Sequence, residues 1–418
     1  MYVLLASEKE ALHIRPIRNN SNWGGRQLNS FTFWSPTKVI FGKDTVEQTG
    51  KEIKSFGGKN VLIFYGTGSA IKSGVLEAVK KSLEAEGIKH TSIGGVQINP
   101  LVEFAQKAVD ENKDRKIDFV LGVGGGSVID TAKAVAHGLA MPGVPLWDIF
   151  TLKTELKASL PIGTVLTIAA AGSETSMSAV LTNRTLGIKR GLGTQFNRPK
   201  FAIMDPTLTY TLPPRHTACG VTDILMHTLD RYFAPDTDNA VTDELAEALM
   251  RVIIKYGKTA MEKPNDYKAR AELMWAGSLS HNGLMGLGQT LDFAVHQLGH
   301  TLSGKYDIPH GESLSIAWPA WARYVCSHDI KRFAQYARNV WNITETGDEA
   351  AAKKGIQATE DYFRLICMPV TLTESIGEQC KNDAETLADL CTYHKTRTIG
   401  AFKVLDLEAI QAIFEAMM

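Results

Sequence analysis

The stretch Phe119-Val120-Leu121-Gly122-Val123-Gly124-Gly125-Gly126-Ser127-Val128-Ile129-Asp130-Thr131-Ala132-Lys133 decides how this chain is read. Residues 119–123 form an apolar run of strand length, residues 128–139 carry a helical pattern, and glycines with one serine join them. Such a junction turns backbone N–H groups outward beside a helix N-terminus, where donors and dipole together favour an anion. A pyrophosphate is the natural guest. The same residues also read as a plain strand-to-helix turn that holds nothing, and the GxGxxG fingerprint of dinucleotide-binding folds is not met.

Working outward, residues 61–65 read as a second buried strand, followed by a turn at Gly66, Thr67 and Gly68 and a helix over 74–86. Apolar strands alternating with helices predict a parallel sheet covered on both faces. After Pro213 and Pro214 the pattern turns helical, with segments at 216–233, 240–260, 267–282, 289–303, 312–325, 329–340, 348–365 and 406–417 and no clear strand. The expected fold is thus an α/β N-terminal dinucleotide-binding domain over 31–210 and an all-α C-terminal metal-binding domain over 211–418. Residues 1–30, rich in charge, Asn and Gly without periodicity, read as an extension with no part in the chemistry.

The 418 residues carry 45 Lys+Arg against 45 Asp+Glu, so there is no basic field to hold nucleic acid or an anionic membrane. Cys219, Cys326, Cys367, Cys380 and Cys391 are scattered and form no CxxC pair, which argues for reduced thiols in a cytoplasmic protein. No apolar run is long enough to span a bilayer, and the start of the chain is too acidic for a secretory signal.

Two features point to chemistry. The strand at 61–65 is followed by Gly66, Thr67, Gly68 and Ser69, with no carboxylate to bind a ribose 2′-hydroxyl. That leaves room for a 2′-phosphate and favours NADP over NAD, although the residues could be only a tight turn. Further on, Asp223 and His227 stand four apart on one helix face, His296 and His300 repeat the spacing on another, and His310 follows a short loop. Any one of these histidines reads most simply as a hydrogen-bonded surface or core residue. As a group they suit a first-row divalent ion, Fe²⁺ or Zn²⁺, with a coordination position left for a substrate oxygen. His13, His90, His137, His216, His281, His328 and His394 receive no role.

The run 124–133, Gly220-Val221-Thr222-Asp223 with His227, and His296-Gln297-Leu298-Gly299-His300 leading to Pro309-His310-Gly311 together resemble the iron-containing (group III) alcohol dehydrogenases over residues 31–418. Within that family the chain is most similar to the NADPH-dependent butanol dehydrogenase and aldehyde reductase branch, since the NAD-preferring branch has Asp where Gly66 stands. The resemblance implies the dehydroquinate synthase-like architecture, a homodimer, and metal ligation by Asp223, His227, His296 and His310, with His300 beside the substrate. For the cofactor it implies Gly66, Gly68 and Ser69 near the adenosine ribose, and Asn99 near the dinucleotide. Gly125, Gly126 and Ser127 would sit on the pyrophosphate with Asp130 in the same turn, Thr164 and Thr167 along the cofactor, and Lys189 near the nicotinamide ribose. One stretch departs from the family: residues 167–174 read Thr-Ile-Ala-Ala-Ala-Gly-Ser-Glu, lacking hydroxyls the family has there.

The activity so implied is hydride transfer between NADP(H) and a small primary alcohol or aldehyde. Its rivals are a dehydroquinate-synthase-like lyase, polyol oxidation of the glycerol dehydrogenase kind, and a non-catalytic metal- or nucleotide-binding protein. The lyase would need Lys and Arg to grip an acidic phosphorylated sugar, and residues 220–311 offer few.

Overall fold

The computed structural model describes residues 29–235 and 239–418, so the extension expected at 1–30 lies outside the described residues apart from Asn29 and Ser30. The strands are β1 (Lys38–Phe41), β2 (Asn60–Gly66), β3 (Lys89–Val96), β4 (Phe119–Gly124), β5 (Ile162–Leu166), β6 (Ser178–Asn183), β7 (Ile188–Gly193) and β8 (Phe201–Met204). Six of them form one sheet in the order β1-β8-β5-β4-β2-β3, and every pairing in it is parallel. The parallel sheet expected for the N-terminal half is the observed one.

The helices of this half are α1 (Thr49–Ser55), α2 (Ser69–Lys72), α3 (Val75–Ala85), α4 (Val102–Asn112), α5 (Gly126–Ala140) and α6 (Leu146–Phe150). They cover both faces. Along β2, Leu62 and Phe64 pack with α4 and α5, while Val61 and Ile63 face the opposite way with Leu76, Val79 and Leu83 of α3. Burial on both faces is why these strands read as continuous apolar runs.

Strand order reverses between β2 and β4. β3 lies on one side of β2, and the chain then returns to lay β4 on the other, with Tyr65 opposite Val123. In open α/β sheets the crevice at the carboxyl ends of such a pair is where ligands bind. Here it is rimmed by Gly66 and Gly124. Among the elements the sequence did not announce, β6 and β7 form a separate antiparallel hairpin with Asn183 opposite Ile188.

The second half is helical: α7 (Pro214–Tyr232), α8 (Ala240–Glu262), α9 (Tyr267–His281), α10 (Ala294–Tyr306), α11 (His310–Val325), α12 (Ile330–Trp341), α13 (Asp348–Leu365), α14 (Leu372–Ile376), α15 (Ala384–Cys391) and α16 (Leu407–Glu415). One apolar core runs through it, centred on Trp318, Trp321, Phe233, Phe333 and Phe402. The helix expected from 289 begins only at Ala294, because Phe293, at φ 55°, sits in the left-handed region and cannot belong to a right-handed helix. The helices at 372–376 and 384–391 were not anticipated. Among the described residues no helix is long and apolar enough to cross a membrane, and all five cysteines are free.

Candidate active site in the cleft

Between the two halves runs a cleft lined from both sides. Its α/β wall includes Gly66, Thr67, Ser69, Asn99, Gly125, Gly126, Ser127, Asp130, Thr167 and Lys189, and its helical wall includes Asp223, His227, His281, His296, His300 and His310. Of the residues expected on the cofactor, only Gly68 and Thr164 are not on this wall. Gly68 caps α2 at φ 152°, a conformation that costs a side chain dearly. Thr164 is fully buried inside β5, its hydroxyl 3.4 Å from Phe201 O.

The turn after β4 is shaped by packing as well as by any guest. A Cβ on Gly125 would lie 2.2 Å from Ile168 Cγ2, so a side chain there would push Ile168 of the loop after β5 out of place. Asp130 reaches the cleft wall, but its Oδ1 accepts from Ser173 Oγ (2.6 Å) and its Oδ2 from Val180 N (2.9 Å). Beside it Lys133, wholly buried, donates to Ser173 O, Ser173 Oγ and Ser178 O at 2.7–2.8 Å. Both side chains of the 124–133 run thus tie α5 to the 171–180 segment. Lys189 Nζ donates to Asn99 Oδ1 (2.9 Å), and Asn99 Nδ2 in turn reaches Asp307 Oδ1 (3.1 Å), which links the hairpin to the helical half. Burial lowers the Lys189 pKa to about 8, against the opposing pull of Asp223, Asp130 and Asp307.

The metal constellation is built by three helices. α7 is buried along most of its length and aims Asp223 and His227 into the cleft from successive turns. α10 supplies His296, and α11 begins with His310 itself. The close approach of α11 to α7 needs glycine: a Cβ on Gly311 would fall 2.1 Å from Cys219 O. Three imidazoles then point Nε2 at one atom, with Asp223 Oδ1 lying 3.5 Å from His227, 3.7 Å from His310 and 4.0 Å from His296. Asp223, His296 and His310 offer ligand atoms all within 4.8 Å of one another; His227 is outside that mutual group although its Nε2 is nearest to Asp223 Oδ1.

Three atoms at this point are buried without a hydrogen bond: Asp223 Oδ1, His296 Nε2 and His310 Nδ1. Burying unpaired polar atoms is costly, and a shared cation removes that cost for Asp223 Oδ1 and His296 Nε2; His310 faces it with Nε2, not with Nδ1. Ligand atoms 3.5–4.0 Å apart match the spacing about an ion bound at roughly 2.1 Å. The residues present therefore fit a divalent metal. Burial also keeps His227 and His310 well below the usual histidine pKa, assisted by neighbouring positive groups, which leaves the imidazoles in the neutral form that binds metal. Asp223 is pushed up to about 6 by burial, partly offset by His296 and Lys189.

Two supporting residues were missed in the sequence. Asp230 accepts from His296 Nδ1 at 2.5 Å, which fixes the tautomer and turns Nε2 toward Asp223. Its spacing carried the signal, since 223, 227 and 230 follow i, i+4, i+7 on one stripe. His281, at the end of α9, stacks on His227 with ring centres 4.0 Å apart and bonds Ala171 O through Nδ1 at 2.6 Å. No local spacing announces it. His300 lies next to the group, its ring 5.1 Å from that of His310, and is held neutral by burial, then by Lys189, His296 and Arg397.

A dinucleotide crevice facing a carboxylate–imidazole metal group defines a metal-assisted nicotinamide oxidoreductase. Residues 36–206 match the family model described as iron-containing alcohol dehydrogenase, and residues 217–418 match its C-terminal domain. The chain belongs to this family and is an alcohol dehydrogenase or aldehyde reductase of its kind, with the metal site and nicotinamide use typical of it.

Among its relatives, NADH-dependent butanol dehydrogenase A of Clostridium acetobutylicum is 39% identical over 389 residues, covering 92% of this chain and 99% of its own. The NADPH-dependent aldehyde reductase YqhD of Escherichia coli is 37% identical over 83% of this chain and 89% of its own. The crystal structure of an NADH-dependent butanol dehydrogenase A from Thermotoga maritima superposes with a TM-score of 0.90 at 36% identity, covering 94% of this chain and all of that one.

Proposed function

We propose that the protein interconverts small primary alcohols and aldehydes, butanol and butanal among them, with NADP(H) as hydride carrier and Fe²⁺ or Zn²⁺ held by Asp223, His227, His296 and His310. The observation that carries this reading is the buried, unbonded Asp223 Oδ1 facing three Nε2 atoms across from the glycine turn. When bound, the ion supplies a Lewis acid for the substrate oxygen and the nicotinamide supplies or accepts the hydride.

The chain's own residues supply position, dryness and a proton carrier. Gly125, Gly126 and Ser127 present the α5 N-terminus to the pyrophosphate. Lys189 and Asn99, bonded to each other, hold the ribose end. Met285, Leu287, Phe293 and Ile308 line the cleft with apolar surface and exclude water from the reacting carbon. His300, neutral and beside His310, takes up or returns the substrate proton at its imidazole.

For the cofactor, Gly66 at the end of β2 supports NADP(H). It carries no carboxylate, and the nearest atom to a Cβ built there is Val96 O at 3.7 Å, so a 2′-phosphate meets neither charge nor bulk. The two NADH-dependent butanol dehydrogenases among its relatives favour NAD(H) as the second reading. Absorbance of the reduced cofactor during butanal reduction separates them through the ratio of kcat/KM for NADPH and NADH. The same open space admits a side chain, so Gly66→Asp should move that ratio toward NADH by about tenfold or more, through repulsion of the 2′-phosphate. An unchanged ratio removes Gly66 from the adenosine site. No turnover of butanal by protein shown to contain metal defeats the dehydrogenase reading itself.

A further inference from the structure

One part of the cleft wall is basic and unused by the chemistry above. Arg190 of β7 and Arg397 of the loop after α15 both place their guanidinium carbons over the ring of Tyr393, at 5.1 and 3.6 Å. All three line the cleft, and both arginines are half-buried. Arg397 Nε donates to Cys391 O (2.9 Å), while its terminal amino groups have no partner among the described residues; the Arg190 guanidinium has no hydrogen bond or ion pair there.

Asp389 of α15 and Asp307 at the end of α10 are committed elsewhere, to His394 at 2.6 Å and to Asn99. Two guanidiniums without a carboxylate, partly removed from water, are an arrangement that an anionic guest completes. The loop is held for this at some conformational expense, since Tyr393, His394 and Lys395 all have positive φ (49°, 59° and 64°). The group also lies on the substrate side of the cleft, because Arg397 is tied to Cys391 O and Cys391 Sγ bonds Gln297 O of α10, one turn before His300, which packs on His310.

Resting on the alcohol–aldehyde reading, we propose that Arg190 and Arg397 form a carboxylate-recognising subsite about Tyr393, so that the favoured substrates are short ω-oxo acids and the matching ω-hydroxy acids. The reaction balances as for any aldehyde: the reduced nicotinamide gives a hydride to the carbonyl carbon, a proton goes to the oxygen, and the oxidised nicotinamide and ω-hydroxy acid leave. The remote carboxylate forms no bond in the reaction; it is held by the planar forks of the two arginines. An oxyanion of the cofactor is the other source of the same chemistry, and the test separates the two.

The metal-containing protein is assayed with butanal, 4-oxobutanoate and 5-oxopentanoate, varying substrate and cofactor in turn. The wild-type protein should show kcat/KM at least about tenfold higher for one of the oxo acids than for butanal. In Arg397→Gln and in Arg190→Gln that preference should fall about 10- to 100-fold, chiefly through KM for the oxo acid, while Arg397→Lys keeps part of it. Circular dichroism establishes that each variant is folded.

A wild-type protein that reduces butanal but does not favour either oxo acid overturns the subsite and leaves the dehydrogenase reading intact. Equal losses for butanal and oxo acid in both glutamine variants also overturn it, assigning the arginines to bracing the loop. A rise confined to the cofactor KM overturns it in favour of a cofactor phosphate. Failure to reduce butanal and the oxo acids alike sinks the proposed function as well.

Discussion

Two buried polar clusters flank the cleft, and they are finished differently. On the α/β side Lys133 donates to Ser173 and Ser178, Asp130 accepts from Ser173 and Val180, and Glu174 accepts from Ser278 Oγ at 2.5 Å. On the helical side Asp223 Oδ1, His296 Nε2 and His310 Nδ1 have no bond at all, although Asp230 pins His296 from behind. The first cluster is closed on itself and serves as architecture. In the second, Asp230 braces His296 from behind while Asp223 Oδ1 and His296 Nε2 are left for a shared cation, which is the mark of a place built around a ligand. The contrast separates two groups of charged residues that composition alone would treat alike.

The largest expected effect falls on the open cluster. His310→Ala and Asp223→Ala should each lose the metal and at least about a thousandfold in turnover, whereas His300→Ala keeps the metal and loses rate. Metal analysis of the purified variants beside kcat decides this, and full metal content in His310→Ala breaks the ligand assignment.

Stability should respond in opposite directions in the two clusters. Lys133→Met takes the donor from Ser173 O and Ser178 O and a neighbouring cation from buried Asp130 and Glu174, and should cost about 2–4 kcal/mol in urea unfolding. In protein stripped of metal, Asp223→Asn removes a buried charge with no partner and should be neutral or stabilising by about 1 kcal/mol. If both changes destabilise equally, the distinction between closed and open clusters fails.

A smaller effect sharpens the closed side. His137 of α5 is buried between Ser159 Oγ and Asn197 Oδ1, each 2.8 Å away, and burial pushes its pKa down to about 4. Its folded pKa lies below the ordinary value of 6.5, so the unfolded chain takes up the proton first. The stabilisation from a neutral His137 is complete above pH 6.5 and is lost as pH falls toward 4, by up to about 3 kcal/mol. The difference in unfolding free energy between wild-type and His137→Asn protein should shrink over that window; a constant difference would show that His137 titrates normally.

How much of this was legible depended on whether the signal was local. Strands β2 and β4 are buried on both faces, so their apolar runs stood out, as did the turn at 124–127 between them. The hairpin β6–β7 did not, because Ser178, Asn183, Lys189 and Arg190 interrupt its apolar positions and its pairing depends on a partner strand. Helix α11 begins at His310 and not at 312, because Pro309 with φ −55° sets up the first turn directly. In the site, Asp223–His227 and His296–His300 declared themselves by helical spacing. His281 is brought in by packing from another helix and Arg397 by an irregular loop, so neither has a period to betray it. Thr164, expected along the cofactor, is sealed within the sheet, since a strand side chain's outlook is fixed by its neighbours on both sides.

All four proposed ligands to the ion, and Asp230 behind them, come from α7, α10 and α11, while the glycine turn belongs wholly to the other half of the chain. Loading of the two guests is therefore separable in time: the helical bundle can capture its cation while the crevice is empty, and nucleotide can come and go through many cycles without disturbing the ion. Each guest would draw its donors from its own half of the polypeptide, so neither set of protein contacts needs the other to be filled.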